Sequence, residues 1–185
     1  MIPAIRNKLG ALKLVSRHLS QESRLRLANG LILSRIIYII QLWGTCRTSW
    51  INQMQIILND TARYVLRCGR RKMVAYLMET CGFLSISQLV VFHSTLTLWK
   101  LLQLSPDNFL MIDISNRKTR YGRTLPDNKL HTRAGQKIIT ENCWRQNSVS
   151  WWNTLPSNLR SELRLKPFKA GLRKWVGENV PIKLY

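Results

Sequence analysis

Most active sites are assembled from carboxylates, histidines and cysteines, and in this sequence those residues stand apart. Asp60, Asp107, Asp113 and Asp127 are isolated among polar or basic neighbours, with no adjacent aspartate pair on any candidate hairpin. Two-metal phosphoryl chemistry needs carboxylates that converge on paired cations, and this spacing does not supply them. His18, His93 and His131 have no nucleophile motif beside them. His93 sits on an apolar helical stretch without a ligand partner three or four residues on, so it reads as a core or edge histidine. Cys46, Cys68, Cys81 and Cys143 form no Cys-x-x-Cys pair. That spacing suggests neither a zinc site nor a disulfide framework, and it fits a reduced intracellular setting. Phosphate-loop and dinucleotide glycine patterns are missing as well. The expectation is a chain with no catalytic residue, metal or cofactor of its own.

Cations and tryptophans carry the chemistry that remains. Gln55, Asn59, Arg63 and Arg67 recur at intervals of four, which stacks them on one helical face, and Arg70, Arg71 and Lys72 follow. Five of the ten positions from Arg63 to Lys72 are basic and none is acidic. Basic residues near a helix C-terminus favour its dipole, but this many exceed that need. A second group runs from Arg117 to Arg145 and includes Lys118, Arg120, Arg123 and Arg133. Arginine and lysine neutralise phosphates and release counterions, and tryptophans set among them can stack on unpaired bases. Trp151 and Trp152 are candidates for stacking. As helix neighbours they point about 100° apart, so both cannot enter one narrow core.

The whole composition agrees. Lys plus Arg number 29 against 9 Asp plus Glu, a formal net charge of +20. Such self-repulsion weakens a compact state, and a polyanionic partner relieves it. Nucleic acid leads, RNA or DNA without sequence preference, with an anionic membrane surface as runner-up. The N-terminal segment has no apolar signal core. The longest apolar run, Leu31 to Trp43, is broken by Arg35 and too short to span a bilayer, so no transmembrane segment is expected.

Helices must position these residues. Basic and apolar residues alternate at helical spacing from Pro3 to Leu19, with Lys8, Lys13 and Arg17 among them. Ser20 is suited to cap a helix whose core stripe is Leu25, Ala28, Ile32, Ile36, Ile39 and Trp43, ending at Gly44. Another opens at Ser49 with the stripe Ile51, Met54, Leu58, Ala62 and Val65, closed by Gly69. A short helix, Met73 to Thr80, stops at Cys81-Gly82. Ser85 and Gln88 have capping-box spacing before an apolar helix through Trp99 that ends near Ser105-Pro106. Beyond Pro106 helical periodicity fades, and short strands are expected at Arg123 to Leu130 and Lys137 to Thr140. A tryptophan-bearing helix halted by Pro156 follows. Lys166-Pro167 then opens a last helix with Phe168, Leu172 and Trp175 along one side. The fold class expected is mainly α: a helical thumb-like bundle over 1–112, then a small basic module over 113–185 with one possible short β-hairpin.

With those segments in place, the chain resembles the C-terminal part of a LINE-type (non-LTR) retrotransposon reverse transcriptase. LILSRIIYIIQLWG, residues 31–44, is similar to that family's thumb helix ending in an aromatic-glycine step. IILNDTARYVL, residues 56–66, resembles the next thumb helix, with Asn59, Ala62 and Arg63 at typical positions. LSISQLVVFHSTLTLWK with SPDNFL resembles the connector that follows. Trp152-Asn153-Thr154-Leu155-Pro156 and the later FKAGLRKWV resemble signatures near the end of such polyproteins. The resemblance implies a grip on template RNA and primer duplex during target-primed reverse transcription. It makes Arg63, Arg67, Arg70 and Arg71 thumb contacts and Lys118, Arg120, Arg123 and Arg133 contacts of the C-terminal module. It also implies an intracellular, nuclear setting, with the remainder of a reverse transcriptase as a polypeptide partner. Fingers, palm and the paired catalytic aspartates have no counterpart here, so the chain is expected to be a truncated or domesticated remnant that does not polymerise alone. Two rivals are a non-catalytic protein-interaction bundle and a peripheral membrane binder acting through Lys166 to Val176.

Overall fold

The computed structural model describes residues 2–38, 40–44, 48–104, 114–115, 131–132 and 144–181. The described chain is mainly helical. It forms two compact units that divide between Leu89 and Val90.

In the first unit, α1 (Ile2–Val15) buries Ile2, Ile5, Leu9 and Leu12, a stripe stepping by three and four, and packs on α5 (Thr48–Leu66). A 3-10 turn, Ser16–His18, leads to α2 (Gln21–Leu27). Ser20 caps α2 as its residue type predicts, accepting the Ser23 N–H at 3.1 Å. The long helix expected next is subdivided. A π turn, Ala28–Leu33, is followed by α3 (Ser34–Ile37), a break at Tyr38, and α4 (Ile40–Trp43). Ala28, Ile32, Ile36 and Ile40 are all fully buried. Their strict step of four overshoots the 3.6-residue turn of an α-helix, and a wider π turn absorbs part of that drift.

The next helix, α5, ends at Leu66, not at the expected Gly69. Arg67 takes the left-handed conformation at φ 50°, and the Cys68 N–H reaches back to the Arg63 carbonyl at 3.2 Å. That six-to-one bond is a Schellman-type stop built on an arginine where glycine is usual. α6 (Val74–Cys81) packs on α5 through Leu77, Met78 and Cys81 and stops at Gly82, φ 65°. The capping box opens α7 (Ile86–Leu104): Gln88 N–H donates to Ser85 Oγ at 3.3 Å, and Ser85 N–H donates to Gln88 Oε1 at 2.9 Å. Gln55 completes this N-terminus, its Oε1 accepting the Ile86 N–H while its Nε2 donates to Asn59 Oδ1, both at 2.8 Å. Gln55 and Asn59 are therefore buried fittings. The polar face read from Gln55 to Arg67 splits into an inner half and an outer half, in which Arg63 is partly covered and Arg67 exposed.

α7 carries buried residues on every side, Val90, Val91, Phe92, Leu96, Leu98 and Trp99 among them, which marks a core helix. The second unit adds α8 (Trp144–Thr154), α9 (Ser157–Arg160) and α10 (Leu165–Asn179). Its core stacks Trp99 on Phe168, centroids 5.2 Å apart and 18° from parallel, with Trp152 at 6.1 Å from the same ring. The Trp99 indole N–H donates to the Glu162 carbonyl at 2.9 Å. Phe168, Leu172 and Val176 are fully buried along α10, while Trp175 is only half-buried. Gly171 allows a close approach: a Cβ there would lie 2.7 Å from Leu159 Cδ1 of α9. A two-residue antiparallel ladder pairs β1 (Ile114–Ser115) with β2 (His131–Thr132). The strands expected at 123–130 and 137–140, and the boundary near 112, lie outside the described residues. No single described helix is long and apolar enough to cross a membrane.

Candidate functional site

Two helix ends meet where the first unit is most basic. α1 delivers Lys13 from its last turn and Ser16 from just beyond it, α5 delivers Asp60, Arg63 and Tyr64 from its last two turns, and Arg67 follows as the first residue past its end. Arg70 follows in the connecting turn. Together they line an open cavity of about 280 Å³. The i, i+3 and i, i+4 spacings of α5 put Asp60, Arg63 and Arg67 on neighbouring rungs of one face, and the left-handed Arg67 turns the chain so that Arg70 joins them.

Two arginines hold this corner together. Arg24, 5% exposed, donates from Nε to the Val65 carbonyl at 2.9 Å and from Nη1 to the Leu19 carbonyl at 2.6 Å. It thereby satisfies a carbonyl in the last turn of α5, a group that has no partner within its own helix. Arg67 works in the opposite direction: its Nη2 donates to the Ser16 carbonyl and, at 3.4 Å, to that of Leu19. The α5 end and the α1–α2 connection are locked reciprocally. Burial, and next the charge of Arg67, lower the Arg24 pKa.

The remaining cations are differently engaged. Arg63 Nη1 pairs with Asp60 Oδ1 at 3.0 Å, and its Nε, buried, has no hydrogen-bond partner among the described residues. Lys13 and Arg70 are exposed at the rim. Asp60 is the one carboxylate against the four cations Lys13, Arg63, Arg67 and Arg70 in the lining, so the cavity is net positive. Tyr64 lies in the wall, 4% exposed, its hydroxyl without a hydrogen-bond partner among the described residues. Burial raises its phenol pKa and the charge of Arg24 works against that rise, so at neutral pH Tyr64 is an uncharged donor. Such a lining can hold an anion by charge-assisted hydrogen bonds.

Among the predicted contacts, Arg63, Arg67 and Arg70 are brought together, with Arg67 committed to backbone carbonyls. Arg71 and Lys72 are exposed on the adjoining turn, and the Lys72 ammonium lies 5.8 Å from the Tyr76 ring centroid. Lys118, Arg120, Arg123 and Arg133 lie outside the described residues. Trp152 requires a correction: it is 2% exposed and packed against Phe168, so its ring has no free face for a base. Trp151 is half-buried beside it, consistent with the divergence of neighbouring side chains on a helix. Lys13, Arg24, Tyr64 and Tyr76 were not legible as site residues. Lys13 belonged to an ordinary amphipathic pattern, and nothing in sequence tied it to residues fifty positions away. Among the described residues no group of three or more His, Cys, Asp or Glu side chains gathers in metal-binding geometry. No protein-family model matches the chain, and no curated protein or solved structure matches it.

Proposed function

We propose that the chain binds nucleic acid without sequence preference, through phosphate contacts centred on the cavity between α1 and α5, and contributes no catalytic residue. The observation that carries this reading is the convergence of Lys13, Arg63 and Arg70, from two helices and a turn, on one net-positive cavity. A formal charge of +20 supports the same polyanionic partner. The likeness of residues 31–44, 56–66 and 152–156 to non-LTR reverse transcriptases suggests a more specific role: a thumb-like grip on template RNA and primer duplex beside the remainder of such an enzyme. The membrane reading loses support because Phe168, Leu172 and Val176, the apolar side of α10, are buried in their own unit. An interfacial helix needs that side for lipid.

Salt dependence tests the proposal. If about five phosphates are neutralised, log affinity against log salt has a slope of about −4.5, or about 500-fold over a fourfold rise in salt. The Lys13→Ala, Arg70→Ala double variant removes two exposed contacts and flattens that slope by about 1.8. A slope near zero in the wild type would sink the reading.

A further inference from the structure

We propose that Tyr76, together with Lys72, is a stacking platform for an unpaired base, so that the basic corner takes single-stranded in preference to fully paired nucleic acid. This rests on the nucleic-acid reading above and adds the strandedness of the ligand. α6 turns Leu77, Met78 and Cys81 toward α5, and Tyr76 points the other way, 55% exposed. The Lys72 ammonium is 5.8 Å from the centre of its ring, and Lys72 stands two residues beyond Arg70 of the cavity lining. Arg70, Arg71 and Lys72 precede the ring and one exposed carboxylate, Glu79, lies a helical turn beyond it, so cations outnumber acids around it in sequence.

A single exposed aromatic is ordinary. This one stands on α6 just beyond the turn that carries Arg70, Arg71 and Lys72, next along the chain to the cavity lining. An aromatic face stacks on any base, and flanking cations hold the neighbouring phosphates. Paired bases inside a duplex offer no such face, so the ring discriminates by strandedness without reading sequence.

The test uses the full chain and fluorescence anisotropy at fixed salt. The probes are a short unstructured single-stranded oligonucleotide and a blunt duplex. Tyr76→Ala should weaken single-strand binding roughly 5- to 150-fold, the range that about 1–3 kcal/mol per stacked base converts to. Duplex binding should be unaffected, and Tyr76→Phe, which keeps the ring, should match the wild type on both probes. The ring is more than half exposed, so the thermal midpoint of Tyr76→Ala should stay within about 2 °C of the wild type. Equal weakening of both probes, or of neither, overturns the platform while leaving the nucleic-acid reading standing. So does a loss confined to anionic phosphatidylserine vesicles, which would assign the ring to a lipid surface. A wild-type chain that binds neither oligonucleotide overturns both readings.

Discussion

Arg67 shows how one residue can have a structural part that its sequence pattern does not reveal. Its place in a four-residue ladder of polar groups made it a phosphate contact in sequence, yet its guanidinium is bonded to the carbonyls of Ser16 and Leu19 and its backbone is left-handed. A non-glycine residue in that conformation costs on the order of 1 kcal/mol or more, and the two carbonyl contacts offset it. Arg67→Ala should therefore keep the backbone cost, lose the clamp and destabilise the fold by about 2–3 kcal/mol. Arg67→Gly loses the same clamp but relieves the backbone, so it should be about 1 kcal/mol less damaging than the alanine variant. Denaturant unfolding of both variants gives the comparison, and equal losses would mean the left-handed turn carries no cost. His93 was legible as a core or edge histidine, and it lies half-buried, edge-on to Phe92 at 5.2 Å. Burial first, then Lys169 and Lys100, push its pKa down to about 4. An imidazole depressed in the fold contributes stability above its unfolded value of about 6.5, and that contribution fades as pH falls from there toward about 4. Carboxylates also titrate near the lower end of that window, so the comparison is with His93→Gln, whose stability should decline less over the same pH range. Parallel curves for the two proteins would remove His93 from the pH response.

Helix starts were more legible than helix stops. Ser20 and the Ser85–Gln88 box act through bonds to residues three positions away, so local sequence contains all the information they need. The stop of α5 depends on Arg24 and on the carbonyls of Ser16 and Leu19, partners about forty to fifty positions distant, which no local pattern reveals. Gly69 was the residue-type candidate for that stop, and a tertiary clamp placed it two residues earlier. The same limit applies to Gln55 and Asn59, whose spacing suggested an exposed polar face. Gln55 instead joins α5 to the first turn of α7. Gln55→Ala would strand the buried Ile86 N–H and Asn59 Oδ1, each at a cost of about 1–3 kcal/mol. The expected loss is about 2–4 kcal/mol, with the denaturant midpoint lowered and the slope unchanged. A loss below about 0.5 kcal/mol, the scale of ordinary surface substitutions, would mean water replaces the amide and the junction is not sealed. The WNTLP and FKAGLRKWV stretches carry a related lesson: Trp152, Leu155, Phe168, Leu172 and Val176 are buried. Their pattern is accounted for by the packing of α8, α9 and α10, so their part in any likeness speaks of architecture and not of a binding surface.

At the scale of the molecule, the mainly helical class followed from apolar periodicity, whereas the place at which the chain divides into two compact units did not. It falls between Leu89 and Val90, inside α7, where apolar residues continue unbroken and composition gives no sign of a border. Net charge is the property that belongs to no element, and it ties stability to binding in a way that can be measured. A formal charge of +20 destabilises the free fold by self-repulsion, and salt screens it, with a Debye length near 10 Å at about 0.1 M. If raising salt from about 50 to about 200 mM relieves about 1 kcal/mol, the thermal midpoint of the free chain should rise by about 2–4 °C. A bound oligonucleotide acts in the opposite sense. At about a hundred times its Kd in the lower salt it stabilises the fold by about 2.7 kcal/mol. The same concentration in the higher salt, after a loss of about 500-fold in affinity, contributes only about 0.1 kcal/mol. Free and complexed midpoints should therefore approach one another as salt increases, one rising while the other falls. Specific burial of apolar surface by a partner would keep the gap open, because its strength does not depend on released counterions. A gap that persists at about 200 mM salt would mean that the positive charge is incidental to what this protein holds.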